Sequence, residues 1–268
     1  MKKFLLPTAL IITLTLTNHL QAQTCDDCRY ITQVFDSLTI ETVKFGEGPD
    51  AFGTTQELFM DVYQPYGDTA QNRPGLVFAY GGGFFTGDRF ERHATFTCET
   101  FAKAGYVAVS MDYRMGVNPF LVSNEEIMRL FYRPTQDMRG VVQYLKADVD
   151  MLGNNYHIDT NLIFIGGASS GGITAMMASH VDRPAEIQFM GDTSGLDPIG
   201  GFDSTSGLYQ NYNWDVAGVV SVAGALPNSD WIEPHGPPIL LAHGDQDETV
   251  PYKSVSYTHL RAHETSEN

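Results

Sequence analysis

A chain of 268 residues, 43% hydrophobic and only 18% charged, is long enough to bury a large core and fits one α/β domain better than a disordered or repetitive protein. Its formal charge of −16 argues against nucleic acid as a partner, because such binding draws its free energy from Lys and Arg neutralising phosphates. The acidic residues are spread along the chain, which is the pattern of a solvated surface rather than an interaction tail.

At the start, Lys2 and Lys3 precede an apolar run from Phe4 to Leu16, with Ala22 as a small residue for cleavage. This pattern predicts a signal peptide over residues 1–23 and a secreted or periplasmic protein. The run falls short of the ~20 apolar residues that cross a bilayer, so no membrane span is expected. Export permits disulfides among Cys25, Cys28 and Cys98. Cys25 and Cys28 lack the second ligand pair of a zinc site. Cys98 shares a helical face with Ala94, Phe101 and Ala102, which makes it either a buried thiol or a partner for one of the other two.

Extended patterns are expected at Ile31–Phe35, Leu38–Phe45 and Leu58–Tyr63, read as antiparallel opening strands. After a polar turn, Gly75–Tyr80 is an unbroken apolar run of the kind that forms a buried parallel strand. A helix over Arg92–Ala104 ends at Gly105, a C′ glycine, and leads into a strand at Tyr106–Ser110. Ser123 and Glu126 form a capping-box signal, and Pro134 marks either a break in that helix or the first position of a second one. Met138, Val141, Val142 and Leu145 make a core-facing stripe.

Asn161–Ile165 is the next strand, and Ile173, Met176, Met177 and Val181 lay the following helix on the sheet. Pro184–Trp214 is glycine-rich and irregular, a substrate-facing cap or a long surface loop. Two further strands are expected at Ala217–Ala223 and Pro238–Ala242. The alternation predicts a mostly parallel central sheet with helices on both faces, whose ligands bind beyond the carboxyl ends of the strands.

Two glycine-rich segments carry the chemistry. Gly167-Ala168-Ser169-Ser170-Gly171 matches G-x-S-x-G between a buried strand and an amphipathic helix. Such a turn strains the serine backbone and lifts its hydroxyl above the sheet edge, so Ser169 is the expected nucleophile, with Ser170 as the alternative one position on. Tyr80-Gly81-Gly82-Gly83-Phe84 offers backbone N–H groups to a negatively charged oxygen. Gly82 and Gly83, with the amide of Ser170, are the expected oxyanion hole. A phosphate-binding loop is the rival reading, but no Lys-Ser/Thr pair and no G-x-G-x-x-G spacing accompany it.

In these segments, in Asp112-Tyr113-Arg114 and in the stretch from His243 to Pro251, the chain resembles the α/β-hydrolase carboxylesterases, including the lipase and hormone-sensitive-lipase-like branches. The resemblance spans about Leu58 to Tyr252. It implies the α/β-hydrolase fold and a nucleophile–acid–histidine order in which Asp247 is the acid, with Asp245 as runner-up. Tyr80 stands where the family usually has a histidine, a change expected to alter a supporting hydrogen bond rather than the backbone donors. The family places its catalytic histidine after a further helix and strand. His259 and His263 follow Asp247 too closely for that, so the base is expected to be missing from this chain. His243 reads as a structural residue at a strand end.

The tail from Val255 to Thr265 back-translates to a string that looks like the transposon-end adapter of shotgun sequencing libraries. Residues 254–268 are therefore expected to be non-native, and residues 24–253 to be a hydrolase domain missing its C-terminal helix and strand. The expected activity is cleavage of small-molecule or polymer-linked carboxylic esters through an acyl-enzyme, needing no metal or cofactor. A serine peptidase of the same fold and a non-catalytic binding protein on a hydrolase scaffold are the alternatives.

Overall fold

The computed structural model describes residues 28–120 and 123–250. The expected signal peptide, Cys25 and the tail with His259 and His263 lie outside the described residues.

Among the described residues seven strands form one sheet in the order β1-β2-β4-β3-β5-β6-β7. The strands are β1 Leu38–Pro49, β2 Thr55–Pro65, β3 Arg73–Ala79, β4 Val107–Met111, β5 Ile158–Ala168, β6 Gly218–Val222 and β7 Ile239–Ala242. β1 and β2 pair antiparallel, as does β2 with β4, and every later pairing is parallel. The sequence dictates this division. β3 and β4 are buried along their whole lengths, as parallel strands covered on both faces must be, whereas the edge strand β1 is largely exposed or half-buried. The α/β-hydrolase architecture expected from the sequence is the one observed.

Three principal helices cover the sheet: α1 Arg92–Lys103, α2 Asn124–Asp150 and α3 Ser170–His180, followed by the short α4 Pro184–Ile187. Gly105 follows α1 at φ +106, the left-handed geometry that its sequence position requires. Ser123 caps α2 by accepting the N–H of Glu126. Met138, Val141, Val142 and Leu145 are all buried.

Two expectations need correction. Ile31–Phe35 forms no strand. The N–H groups of Val34 and Phe35 both donate to the Lys103 carbonyl at the end of α1, and Tyr30 donates to Ala104 at φ +72, so the orphan carbonyls of a helix terminus take the donors that a sheet would have used. Pro134 neither breaks α2 nor starts a second helix. It lies inside one continuous 27-residue helix. Residues from Tyr132 to Gln143 are all buried, so packing outweighs the roughly 3 kcal/mol that an interior proline costs.

Cys28 is disulfide-bonded and Cys98 is a free, buried thiol, the first of its two readings. The irregular Pro184–Trp214 segment is fastened to α2: the Arg129 guanidinium donates to the Gly195 carbonyl, the Tyr132 hydroxyl to Phe202, and the Gln136 amide to Ile199 and Gly201. Gly46 and Gly207 form a single bridge that joins the segment to β1.

Candidate active site

β5 runs directly into α3, and the residue between them is Ser169, at φ +51 and ψ −118. A non-glycine residue in that region is strained, and here neighbouring contacts hold it. The Ser169 N–H donates to Val222 at the end of β6 and its carbonyl accepts from Ile173. Close approach permits the bend: a Cβ on Gly171 would sit 2.2 Å from the Ala79 carbonyl oxygen, and one on Gly167 would sit 2.3 Å from the Gly171 carbonyl carbon. Small residues are thus demanded at both positions by backbone, which cannot move aside.

Ser169 is half-buried, at the carboxyl edge of the sheet, while Ser170 is only 1% exposed. The Ser170 hydroxyl lies 3.2 Å from that of Tyr113. As the first residue of α3, Ser170 has no intrahelical acceptor for its N–H, and that group remains available beside the elbow.

The loop after β3 lies against Ser169. A Cβ on Gly81 would meet the Ser169 Cβ at 3.2 Å. Gly82 and Gly83 take φ +149 and +64, and no hydrogen bond among the described residues engages their N–H groups. The Gly82 carbonyl turns the other way and accepts from Phe85 and Thr86. The elbow and the loop are therefore adjacent, as the sequence suggests, with three free N–H groups gathered at the strand ends.

Side chains from neighbouring elements hold this loop. At its near end the Gly81 N–H donates to His93 Nε2 at 2.8 Å, and the Tyr80 carbonyl accepts from the Tyr113 hydroxyl at 3.0 Å. Tyr80 is buried and stacks on Tyr113 with ring centroids 4.3 Å apart. Its hydroxyl faces Met115 Sδ at 3.5 Å, so the residue replacing the family's histidine is a packing element. At the far end Arg89 pairs with Asp112 at 2.7 Å and with Asp61 at 3.1 Å, and its carbonyl accepts from the Ser110 hydroxyl. Burial raises the Asp112 carboxyl above the usual carboxylate range, against the pull of Arg89. Arg114, buried, donates to Asp137 through its backbone N–H at 2.6 Å and its Nε at 2.8 Å. The Asp112-Tyr113-Arg114 segment was thus visible as a motif, and its work is to hold neighbours; His93, twelve residues after Gly81 in the first turn of α1, carried no signal.

Asp247 follows β7 in a tight turn, where its N–H donates to Gly244 at 3.2 Å. Its Oδ1 accepts from the backbone of Thr249 at 2.9 Å and Val250 at 3.0 Å. Those two bonds hold the carboxyl below the ordinary aspartate range. Oδ2 lies 3.4 Å from His243 Nε2, which is also 2.6 Å from the Val250 carbonyl, so His243 ties the strand end to the turn. Asp245 is exposed. β5, β6 and β7 lie side by side, and Ala223 donates to Ala242, so this turn leaves the same sheet edge as Ser169, two strands away. Among the described residues no group of three His, Cys, Asp or Glu side chains could hold a metal ion.

Solved structures share this architecture. The esterase 2 of Thermogutta terrifontis phosphorylated by paraoxon superposes with a TM-score of 0.55 at 20% identity, over 80% of this chain and 73% of that one. Its tabun-phosphoramylated form gives a TM-score of 0.53 at 19% identity, covering 80% and 74%. Its butyrate-bound form gives 0.52 at 19%, covering 74% and 70%. At such identities the likeness concerns the fold. No curated protein sequence matches the chain significantly. The family model described as BD-FAE matches residues 60–227, from β2 through the glycine loop and the elbow to just beyond β6. Since that match spans more than half of the sequence, the chain belongs to the BD-FAE family, an esterase family of the α/β-hydrolase type.

Proposed function

We propose that the protein is an exported carboxylic ester hydrolase that works through an acyl-enzyme on Ser169. The observation that carries this reading is the strained elbow at Ser169, φ +51, packed against a loop whose Gly82 and Gly83 N–H groups have no partner among the described residues. Ester hydrolysis passes through a tetrahedral intermediate with negative charge on the former carbonyl oxygen. Donors fixed in advance stabilise that charge without reorganising, each contributing ~3 kcal/mol to the barrier. Gly82, Gly83 and Ser170 supply three such N–H groups.

Asp247 is the acid of this reading. Its Oδ1 is fixed by the turn, its carboxyl stays ionised, and it would orient a histidine base and stabilise the imidazolium. None of the described histidines is hydrogen-bonded to Ser169, and His93 and His243 are engaged elsewhere. The base is accordingly a histidine beyond the described residues. The paraoxon and tabun adducts of the Thermogutta esterase fit an organophosphate-sensitive nucleophile in this fold. Small ester substrates suit the reading, and no helix among the described residues is long and apolar enough to cross a membrane.

The test is fluorophosphonate labelling of the protein expressed from its own locus, followed by peptide mass mapping. The label is expected on Ser169, and Ser169→Ala is expected to abolish both label and p-nitrophenyl butyrate hydrolysis. Retained hydrolysis in that variant would overturn the reading. N-terminal sequencing of the exported protein is expected to begin near Thr24.

A further inference from the structure

One peptide unit in the glycine loop is gripped at both ends by side chains from different elements. The Tyr80 carbonyl accepts from the Tyr113 hydroxyl on the segment after β4, and the Gly81 N–H of the same unit donates to His93 in the first turn of α1. A peptide unit is planar, so fixing its C=O and its N–H fixes its orientation about the chain. The Gly82 N–H belongs to the next peptide unit, joined to the gripped one through Gly81, whose lack of a side chain leaves its dihedrals soft, whereas the Gly83 N–H shares a peptide unit with the Gly82 carbonyl that Phe85 and Thr86 hold. Without the grip, the soft dihedrals of Gly81 would leave the Gly82 donor poorly aimed.

We propose that His93 is a positioning residue for ester hydrolysis: it holds the Tyr80–Gly81 peptide, with Tyr113 as its counterpart, so that the Gly82 N–H faces the oxygen that becomes charged. This rests on the assignment of Ser169 and the loop as the catalytic site. No hydrogen bond joins His93 to Ser169 among the described residues, and on this account His93 does not touch the substrate. Its Nε2 accepts a hydrogen bond, so the ring hydrogen sits on Nδ1. An acceptor at that point is what matters, and a glutamine side-chain oxygen can supply one.

The geometry separates this role from mere packing. His93 is exposed, and its ring is no part of the buried core. Removing it therefore opens no cavity, and the effect is expected on the transition state rather than on folding. Tyr113, which also meets the Ser170 hydroxyl, links the same peptide to the start of α3, so both sources of oxyanion donors share one brace.

The experiment compares His93→Ala and His93→Gln with the parent, all expressed from the native locus, in p-nitrophenyl butyrate hydrolysis with kcat and KM resolved. His93→Ala is expected to lower kcat about tenfold, the factor that about 1.4 kcal/mol produces, with KM nearly unchanged. His93→Gln is expected to recover most of that loss. Parent-like kcat in the alanine variant would overturn the proposal, as would a glutamine variant no better than alanine. Ser169→Ala, run alongside, tests the underlying assignment separately: if it stays active, the site itself is wrong, whatever His93 does.

Discussion

The elbow at Ser169 and the turn at Asp247 leave the same sheet edge, yet they are built by opposite means. The elbow is enclosed: Gly167, Gly171 and Gly172 face backbone or side-chain atoms at 2.2–2.8 Å from any added Cβ, and Ser170 is buried behind Tyr113. The acid turn is open, and its carboxylate is held by two backbone N–H groups of its own turn. A side chain placed by long-range packing cannot be disturbed without disturbing the fold. One placed by local hydrogen bonds can be removed almost cleanly.

The largest expected effect follows from the open side. Asp247→Asn keeps an oxygen for the Thr249 and Val250 donors but loses the charge, whereas Asp247→Ala loses both. In the protein expressed from its own locus, each is expected to lower kcat by about 10⁴-fold, the usual consequence of disabling the acid of a triad. The thermal midpoint of the asparagine variant should match the parent. A drop below about tenfold in kcat for both variants would reassign the acid, with Asp245 next in line.

On the enclosed side the expected balance reverses. Gly171→Ala drives a Cβ to 2.2 Å from the Ala79 carbonyl oxygen and 2.5 Å from that of Tyr80, where neither partner is a flexible side-chain end. Overpacking of this kind costs about 3 kcal/mol at the upper end of its range. Denaturant titration is expected to show that loss, together with a fall in activity because the displaced atoms belong to the glycine loop. A variant of parental stability would mean that the elbow is looser than its contacts imply.

The same contrast governs what the sequence made legible. Gly167–Gly171 could be found because its sterics are local: a strand, a tight turn and a helix need small residues at fixed spacing, whatever else surrounds them. Asp247 was singled out only through family order, since a turn carboxylate has no spacing rule of its own. The sheet order was readable in class because β3 and β4 are continuous apolar runs. Ile31–Phe35 misled because its alternation carries no information about competing acceptors, here the open carbonyls of α1. Pro134 misled because helix propensity is a local quantity and burial from Tyr132 to Gln143 is not. His93 and Arg89 were silent for the same reason, and the role of Tyr113, though its motif was visible, was hidden likewise: each acts on residues that only the folded sheet brings near.

The smallest expected effect separates two adjacent serines. Ser170→Ala removes a buried hydroxyl that contacts Tyr113 at 3.2 Å, but it leaves the backbone N–H at the start of α3, and Tyr113 retains its bond to the Tyr80 carbonyl. With that second partner in place, the loss is one ordinary hydrogen bond, about 1 kcal/mol in stability. In kcat the change is expected to be on the order of threefold, because the brace on the glycine loop keeps its main contact. A collapse of activity comparable with Ser169→Ala would instead move the nucleophile to Ser170, and with it the buried side of the elbow would become the reacting side. Parallel kinetics and melting curves on the two alanine variants decide between these outcomes.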